Sequence, residues 1–283
     1  MATFTNMATL TYNGGTAVSN TVTGELLDTL TVTKTAIMDD YAAGDDVTYV
    51  VTIRNTGTAA VNDVTVTDNL GAYAVGGQTY IPLTYVADSL HYYVGGLPQT
   101  APTPTTGTNP ALSIAGLTVP AGGNIMLIYE AEANQYAPLA ADSTIDNTVT
   151  VTGAGITTPI TATAQITTEA RAALTISKAM SPTTVTENGQ LTYTFIIQNT
   201  GNTAADTGVV LNDTFTPALD NIAVTLNGTA LTPTTDYTYT EATGVFATVA
   251  GVITVPAATY TQNADGTWTT TPGTATVTVT GTV

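Results

Sequence analysis

Residues 47–53, Val-Thr-Tyr-Val-Val-Thr-Ile, alternate so that every second residue presents a large apolar side chain on one face of an extended chain. The same period of two recurs in residues 64–67, Val-Thr-Val-Thr, and in residues 275–279, Ala-Thr-Val-Thr-Val. Gly, Pro, Asn and Asp separate these runs, and no stretch has the period of an α-helix. Many short alternating strands with turn residues between them predict an all-β fold made of β-sandwiches.

The chain contains two copies of one domain. Three motifs recur in the same order: Leu-Thr-Val-Thr-Lys at 30–34 as Leu-Thr-Ile-Ser-Lys at 174–178, Asn-Thr-Gly at 55–57 and 199–201, and an Asp-ended run at 64–68 and 209–213. The first two pairs share an offset of 144 residues. We therefore predict one sandwich over residues 29–169 and a second over residues 170–283.

The two copies end differently. The first continues into a closing hairpin, in which residues 145–152 are followed by a Gly turn and a strand through Ile166. The second copy reaches Val283 at the strand that precedes this hairpin. A matching hairpin occupies residues 1–28, with an Asn-Gly-Gly turn after Tyr12, and Asn-Gly between alternating runs is a strong hairpin signal.

The repeat topology predicts a donor hairpin. A closing hairpin belongs to the domain before the strand into which it leads, so residues 1–28 are expected to complete the second domain of a neighbouring subunit. Folding back within one chain would have to span both domains with almost no linker. Head-to-tail joining does not close on itself and predicts a homopolymeric filament. Alternation predicts four donor contacts with the neighbour's core: Phe4, Ala8, Leu10 and Tyr12.

A second interpretation treats the chain as a monomeric surface adhesin or glycan-binding module, whose N-terminal hairpin belongs to a domain lost by truncation. Fibres in electron micrographs would favour the filament, and a monodisperse monomer would favour the adhesin. The sequence alone leaves both interpretations open.

Composition limits the chemistry of the chain. The 283 residues carry a net charge of −17, with only four cationic residues, one His and no Cys. Such a chain is not expected to bind nucleic acid, and no apolar run is long enough for membrane insertion. We expect no enzyme activity, no cofactor and no metal site. His91 has no Ser-Asp partner pattern, and the acidic pairs at 39–40 and 45–46 match no known calcium loop.

Strand parity brings three polar residues of each copy onto the apolar face. One Lys lies on the first strand, one Asp on a middle strand and one Asn on the closing hairpin. The two predicted sets are Lys34, Asp68 and Asn147 within the first domain, and Lys178, Asp213 and the neighbouring subunit's Asn6 at the second. These are the only two Lys residues of the chain, and they occupy the same repeat position.

Lys, Asp and Asn are the groups from which an intramolecular isopeptide bond forms. Burial favours the neutral amine and the protonated acid, and the acid polarises the Asn amide while the amine attacks and ammonia leaves. The predicted bonds are Lys34–Asn147 within the chain and Lys178–Asn6 between subunits. The alternative is a buried ion pair hydrogen-bonded by Asn, or Lys side chains that extend to water at the strand end.

The succession of motifs resembles the bacterial conserved repeat domain known as domain of unknown function eleven. The resemblance rests on Lys34-Thr35, Tyr49 followed by Asn55-Thr56-Gly57, Val66-Thr67-Asp68, and residues 147–151. It implies tandem immunoglobulin-like sandwiches, an extracellular location on the surface of a cell or spore, and a structural role such as a pilus, fimbrium or spore appendage. The Lys, Asp and Asn arrangement also resembles the isopeptide-forming domains of Gram-positive pili.

Overall fold

The computed structural model describes residues 2–26 and 29–283, and the regular elements in these ranges are β-strands. Met1, Leu27 and Asp28 of the predicted donor hairpin lie outside the described residues. The chain divides into two compact units, one up to Ala137 with Thr144–Thr167, the other Pro138–Ser143 with Thr168–Val283. The predicted all-β fold is confirmed. Neither described range contains a helix long and apolar enough to cross a bilayer.

The first four strands form an N-terminal arm, residues 2–26. They are β1 (Ala2–Asn6), β2 (Thr9–Tyr12), β3 (Gly15–Val18) and β4 (Val22–Leu26). Strand β1 pairs with β4 and β2 with β3, both antiparallel, and hydrogen bonds between Ala8 and Ser19 connect the two halves. Gly14, in the turn, has φ of 117°, which favours Gly. In the described chain, the arm strands pair only with one another.

The first sandwich follows the arm. Its strands are β5 (Leu30–Ala36), β6 (Asp40–Tyr41), β7 (Asp46–Asn55), β8 (Val61–Asp68), β9 (Tyr73–Val75), β10 (Gln78–Tyr80), β11 (Leu83–Tyr85), β12 (His91–Val94), β13 (Leu97–Gln99), β14 (Thr105–Thr106), β15 (Leu112–Val119), β16 (Asn124–Ala133), β17 (Thr144–Thr152) and β18 (Ile160–Thr168).

Two six-stranded sheets face each other in this sandwich. One has the order β13-β12-β16-β7-β5 with β11 also on β16, and the other has the order β14-β15-β8-β17-β18-β6. The closing hairpin β17–β18 is thus part of the second sheet, with β17 paired directly to β8. Alternate residues of the central strands fill the core, among them Tyr49, Val51, Ile53, Val64, Val66, Leu127, Tyr129, Val149 and Val151.

The second unit contains the remaining strands. They are β19 (Leu174–Ser181), β20 (Gln190–Asn199), β21 (Asn212–Thr214), β22 (Asp220–Leu226), β23 (Thr229–Ala230), β24 (Tyr237–Thr240), β25 (Val245–Thr248), β26 (Thr259–Gln262), β27 (Trp268–Thr271) and β28 (Gly273–Thr282). One sheet has the order β19-β20-β28-β22-β23 and the other β21-β25-β24, while β26 and β27 form a separate hairpin. Phe195, Phe215, Phe246, Val277 and Val279 are central to its core.

The two sandwiches differ at the closing hairpin. Strands β19, β20 and β28 are ordered as β5, β7 and β16 are, and β21 carries Asp213 as β8 carries Asp68. Strand β8 lies between β15 and β17, whereas β21 pairs only with β25 among the described strands. Strand β21 has three residues and β8 has eight. A strand with hydrogen-bonding neighbours on one side only is expected to be shorter.

The repeated Asn-Thr-Gly motif has the same structure in both units. The side chains of Asn55 and Asn199 are fully buried, and each accepts a hydrogen bond from the Gly N–H two residues later at 2.9 Å. Each also donates to the carbonyl four residues later at 2.8 Å. A Cβ added at Gly201 would lie 2.2 Å from the carbonyl oxygen of Arg171, so only Gly fits there.

Candidate functional site

Lys34 and Asp68 form a buried ion pair in the first sandwich. Lys34 Nζ donates a hydrogen bond to Asp68 Oδ2 at 2.7 Å, and the two side chains are 0% and 2% exposed. Lys34 Nζ also lies 4.7 Å from the ring centroid of Tyr49 and 5.9 Å from that of Tyr129. The pair therefore joins the two sheets across the core, with aromatic rings in place of water.

Asp68 has two further hydrogen-bond donors. Its Oδ1 accepts the N–H of Leu70 at 2.8 Å, and its Oδ2 accepts the hydroxyl of Tyr129. Burial, and next the adjacent Asp68, raise the pKa of the Tyr129 phenol well above its ordinary value, so the phenol stays a donor. Sequence reasoning missed Tyr129. The available signal was its parity, since it alternates with Leu127 and Ala131 on a buried face where a hydroxyl needs a partner.

Asn147 lies on the same face of the sheet as Asp68. Val149 is the cross-strand partner of Asp68, and Asn147 is two residues from Val149 on β17, close to β5. Asn147 is fully buried. The Tyr49 hydroxyl is nearby but is not positioned for a hydrogen bond with Asn147. Neither the amide nitrogen nor the amide oxygen of Asn147 therefore has a hydrogen-bond partner among the described residues. A buried polar group without a partner costs about 1–3 kcal/mol.

Burial makes the Lys34 ammonium easier to deprotonate. Removal from water lowers the pKa of the Lys34 ammonium to about 8, against the opposing attraction of Asp68. The neutral amine, which carries the nucleophilic lone pair, is therefore far more accessible here than at an exposed Lys. The site thus contains an amine, an acid and an unpaired amide in one apolar core.

The second sandwich repeats the ion pair in a wetter environment. Lys178 Nζ donates to Asp213 Oδ2 at 2.5 Å, but the two side chains are 41% and 17% exposed. The Lys178 ammonium lies 4.6, 5.3 and 5.4 Å from ring centroids of Tyr193, Phe195 and Phe215. The structure therefore brings Lys178 and Asp213 together against three aromatic rings, at a position that solvent still reaches.

The strand that carries Lys178 is uncovered. Each residue of β19 is exposed, whereas Leu30 and Lys34 of β5 are buried. Leu174 is 41% exposed and Ile176 57%, although Leu30, the counterpart of Leu174, is 6% exposed. In the second unit, apolar side chains of β19 face solvent, whereas β17 covers the equivalent position of the first sandwich.

The predicted donor residues are also exposed. Phe4, Leu10 and Tyr12 are 60%, 66% and 58% exposed, and Ala8 is exposed as well. The predicted third member of the second site, Asn6, is exposed on β1 opposite Val22, within the other compact unit. Six large apolar residues of the arm are more than half exposed: Phe4, Met7, Leu10, Tyr12, Val18 and Val22.

Other candidates carry less chemistry. His91 is exposed on β12, where its backbone pairs with Ile128. Within residues 2–26 and 29–283, no three His, Asp or Glu side chains are grouped so that they could hold a metal ion.

Comparisons with known proteins find only distant structural likenesses. No protein-family description and no curated protein sequence matches it. The resemblance to domain of unknown function eleven therefore has no independent support. Among solved structures, the major pilin subunit BcpA of Bacillus cereus is 11% identical with a TM-score of 0.38, covering 87% of this chain and 65% of that one.

Two further structures are similar at the same level. The full-length RrgB pilus protein of Streptococcus pneumoniae is 12% identical with a TM-score of 0.34, covering 87% of this chain and 40% of that one. The collagen-binding domain of a Staphylococcus aureus adhesin is 14% identical with a TM-score of 0.30, covering 47% of this chain and 95% of that one. Likenesses at this level do not identify a function.

Proposed function

We propose that this protein is the structural subunit of an extracellular filament that assembles head to tail by donor-strand complementation. One observation carries the proposal. The arm exposes a row of apolar side chains, and strand β19 of the second unit exposes another where the first unit has its closing hairpin. The arm of one subunit is the hairpin that covers the second sandwich of the next.

The first sandwich supplies the template for this complex. There, β17 pairs with β8, and Ile145, Asn147 and Val149 point into the core. In the arm, Phe4, Asn6 and Ala8 stand at the corresponding positions. Burying a large apolar side chain stabilises by roughly 1.5–3 kcal/mol, so docking several of them supports a stable joint. Docking also pairs the free edge of β21, which would otherwise be open to aggregation.

Head-to-tail joining of subunits determines the kind of assembly that forms. Each subunit contributes one arm and one acceptor, and these are different surfaces, so the contact is heterologous. Heterologous contacts that do not close into a ring generate filaments. The sequence resemblance to surface repeat domains supports a location on the cell or spore surface.

Isopeptide bonds are proposed to lock the filament. Lys34 transfers a proton to Asp68, and its amine attacks Cγ of Asn147. Asp68 passes that proton to the amide nitrogen, which leaves as ammonia, and then takes up the second proton of the attacking nitrogen. The products are the new amide, ammonia and a protonated Asp68. The unpaired, fully buried Asn147 amide beside a buried Lys–Asp pair supports this chemistry. Lys178 and Asp213 are proposed to join the neighbouring subunit's Asn6 in the same way.

Deleting residues 1–28 tests the assembly. The complete chain should form fibres visible by electron microscopy, and the shortened chain should stay soluble. Because the arm strands pair only with one another in the described chain, the shortened chain should keep its β-sheet circular dichroism signal. Fibres from the shortened chain would overturn strand donation. A monodisperse monomer from the complete chain would favour the adhesin interpretation.

A further inference from the structure

The two Lys–Asp pairs differ in their access to water. Lys34 and Asp68 are closed off within their own sandwich, where Asn147 is present as soon as β17 pairs with β8. Lys178 and Asp213 have equivalent positions and are also in direct contact, yet 41% of the Lys178 side chain is open to solvent. One chain therefore contains one Lys–Asp pair that is closed off from water and a second pair that water reaches.

Water keeps an exposed pair unreactive. A solvated Lys is an ammonium without a lone pair, and a solvated Asp is a carboxylate that has no proton to deliver to a leaving group. The pair can exchange its charges for a neutral amine and a neutral acid only when the surroundings have a low dielectric constant. Tyr193, Phe195 and Phe215 already provide one apolar side of such a site.

We propose that docking of the neighbour's arm is the switch that makes Lys178 reactive, so that the intersubunit bond forms only at an assembled joint. This inference rests on the proposed donor-strand assembly. The arm brings the missing apolar cover, through Phe4 and Ala8, and the electrophile, Asn6, in one step. In the free subunit, Lys178 has neither that cover nor that electrophile.

The reaction needs no other reactant. On docking, the Lys178 ammonium gives a proton to the Asp213 carboxylate, and the amine forms a bond to Cγ of Asn6. The bond from Cγ to the amide nitrogen breaks, Asp213 passes its proton to that nitrogen, and ammonia leaves. Asp213 then takes up the second proton of the attacking nitrogen, so the products are the new amide, ammonia and a protonated Asp213. Lys34 indicates the effect of cover on the amine, since burial lowers its pKa to about 8. The Lys34 bond would thus accompany folding and the Lys178 bond assembly.

A matched pair of full-length variants tests the switch. Leu10→Asp keeps Asn6, Lys178 and Asp213 but would bury a charge on docking. Thr9→Asp adds the same charge on the opposite face of β2. Each protein is incubated at concentrations at which the unchanged chain forms fibres. Sedimentation measures assembly, and mass spectrometry of peptides measures joining of Lys178 to Asn6.

We expect the unchanged chain and Thr9→Asp to form fibres with Lys178 joined to Asn6, and Leu10→Asp to show at least tenfold less of both. Joining in Leu10→Asp at the rate of Thr9→Asp, but without fibres, would overturn the switch while leaving the bond. Fibres of the unchanged chain without joining would overturn the bond and the switch but not the filament. Absence of both fibres and joining in the unchanged chain would overturn the filament itself.

Discussion

Lys34 and Lys178 stand 144 residues apart at the same position of the two repeats, and each donates to an Asp carboxylate oxygen, at 2.7 and 2.5 Å. The side chain of Lys34 is fully buried, whereas 41% of the Lys178 side chain is exposed. Both pairs rest on aromatic rings, so the difference lies on the other side, where β17 covers Lys34. We therefore expect the second sandwich, once the proposed arm has docked, to resemble the first.

The exposed face of β19 should be the acceptor for the arm. Ile176 and Lys178 share that face, and Thr175 lies on the other. Ile176→Asp should abolish fibres because docking would bury an unpaired charge, whereas Thr175→Asp should assemble nearly as well as the unchanged chain. Sedimentation of fibres measures the difference. Equal effects of the two substitutions would mean that another face of the second unit receives the arm.

Much of this arrangement could be predicted from alternation alone. The faces of β5, β8 and β17 follow from a period of two, and this period alone predicts that Lys34, Asp68 and Asn147 lie in the core. The turn around Asn55 was visible only as a repeated motif, and its buried hydrogen bonds required the structure.

The remainder depends on how sheets face each other. Alternation states that Tyr129 is buried, but its contact with Asp68 depends on the offset between two sheets, which strand patterns do not fix. The short strand β21 was likewise not predictable from residues 209–213, since strand length depends on the neighbouring strand. Whether Asn6 meets Lys178 is a property of two chains, so a single chain leaves it as a prediction.

Tyr129 should stabilise the first sandwich through its hydroxyl. Tyr129→Phe removes a donor to the buried Asp68 and should lower the free energy of unfolding by about 1–3 kcal/mol. Tyr85→Phe is the matched control, because the buried Tyr85 hydroxyl has no hydrogen-bond partner among the described residues. Urea unfolding can be followed by the methyl NMR signal of Met126 on β16. Equal losses from the two variants would argue against a special contribution of the Tyr129 contact.

The Lys34–Asn147 bond should be visible in the intact mass. The unassembled chain should weigh one ammonia less than its sequence requires, and either Lys34→Met or Asn147→Leu should restore the full mass. Closing a loop of this length is worth about 4–5 kcal/mol on the chain-entropy estimate, so Asn147→Leu should also unfold at lower urea. Lys178→Met should keep the ammonia deficit in unassembled chains. If the unchanged chain has the full mass that its sequence requires, the bond has not formed, and Lys34 and Asp68 are an ion pair.

Stability of the unbonded first sandwich should rise with pH above 8. In Asn147→Leu, Lys34 cannot form the isopeptide bond and keeps its titratable side chain. Its pKa is lowered from 10.5 in the unfolded chain to about 8 in the folded chain, chiefly by burial. Between these two pKa values, Lys34 binds more protons in the unfolded chain than in the folded chain. The free energy of unfolding therefore increases with pH in this range, and the gain is lost as pH falls to 8. We expect a gain of about 1.5 kcal/mol between pH 8 and 9.5.

The upper limit of this pH window comes from tyrosine. Burial raises the pKa of Tyr41, Tyr49 and Tyr129 above the ordinary value of 10.0, so the unfolded chain loses these protons first and stability falls above pH 10. Urea unfolding followed at Met126 should therefore be compared between Asn147→Leu and the double variant Asn147→Leu, Lys34→Met. The double variant should lack the rise, because the titrating amine is gone. Parallel curves for the two variants would mean that the Lys34 ammonium is no harder to bury than its neutral amine.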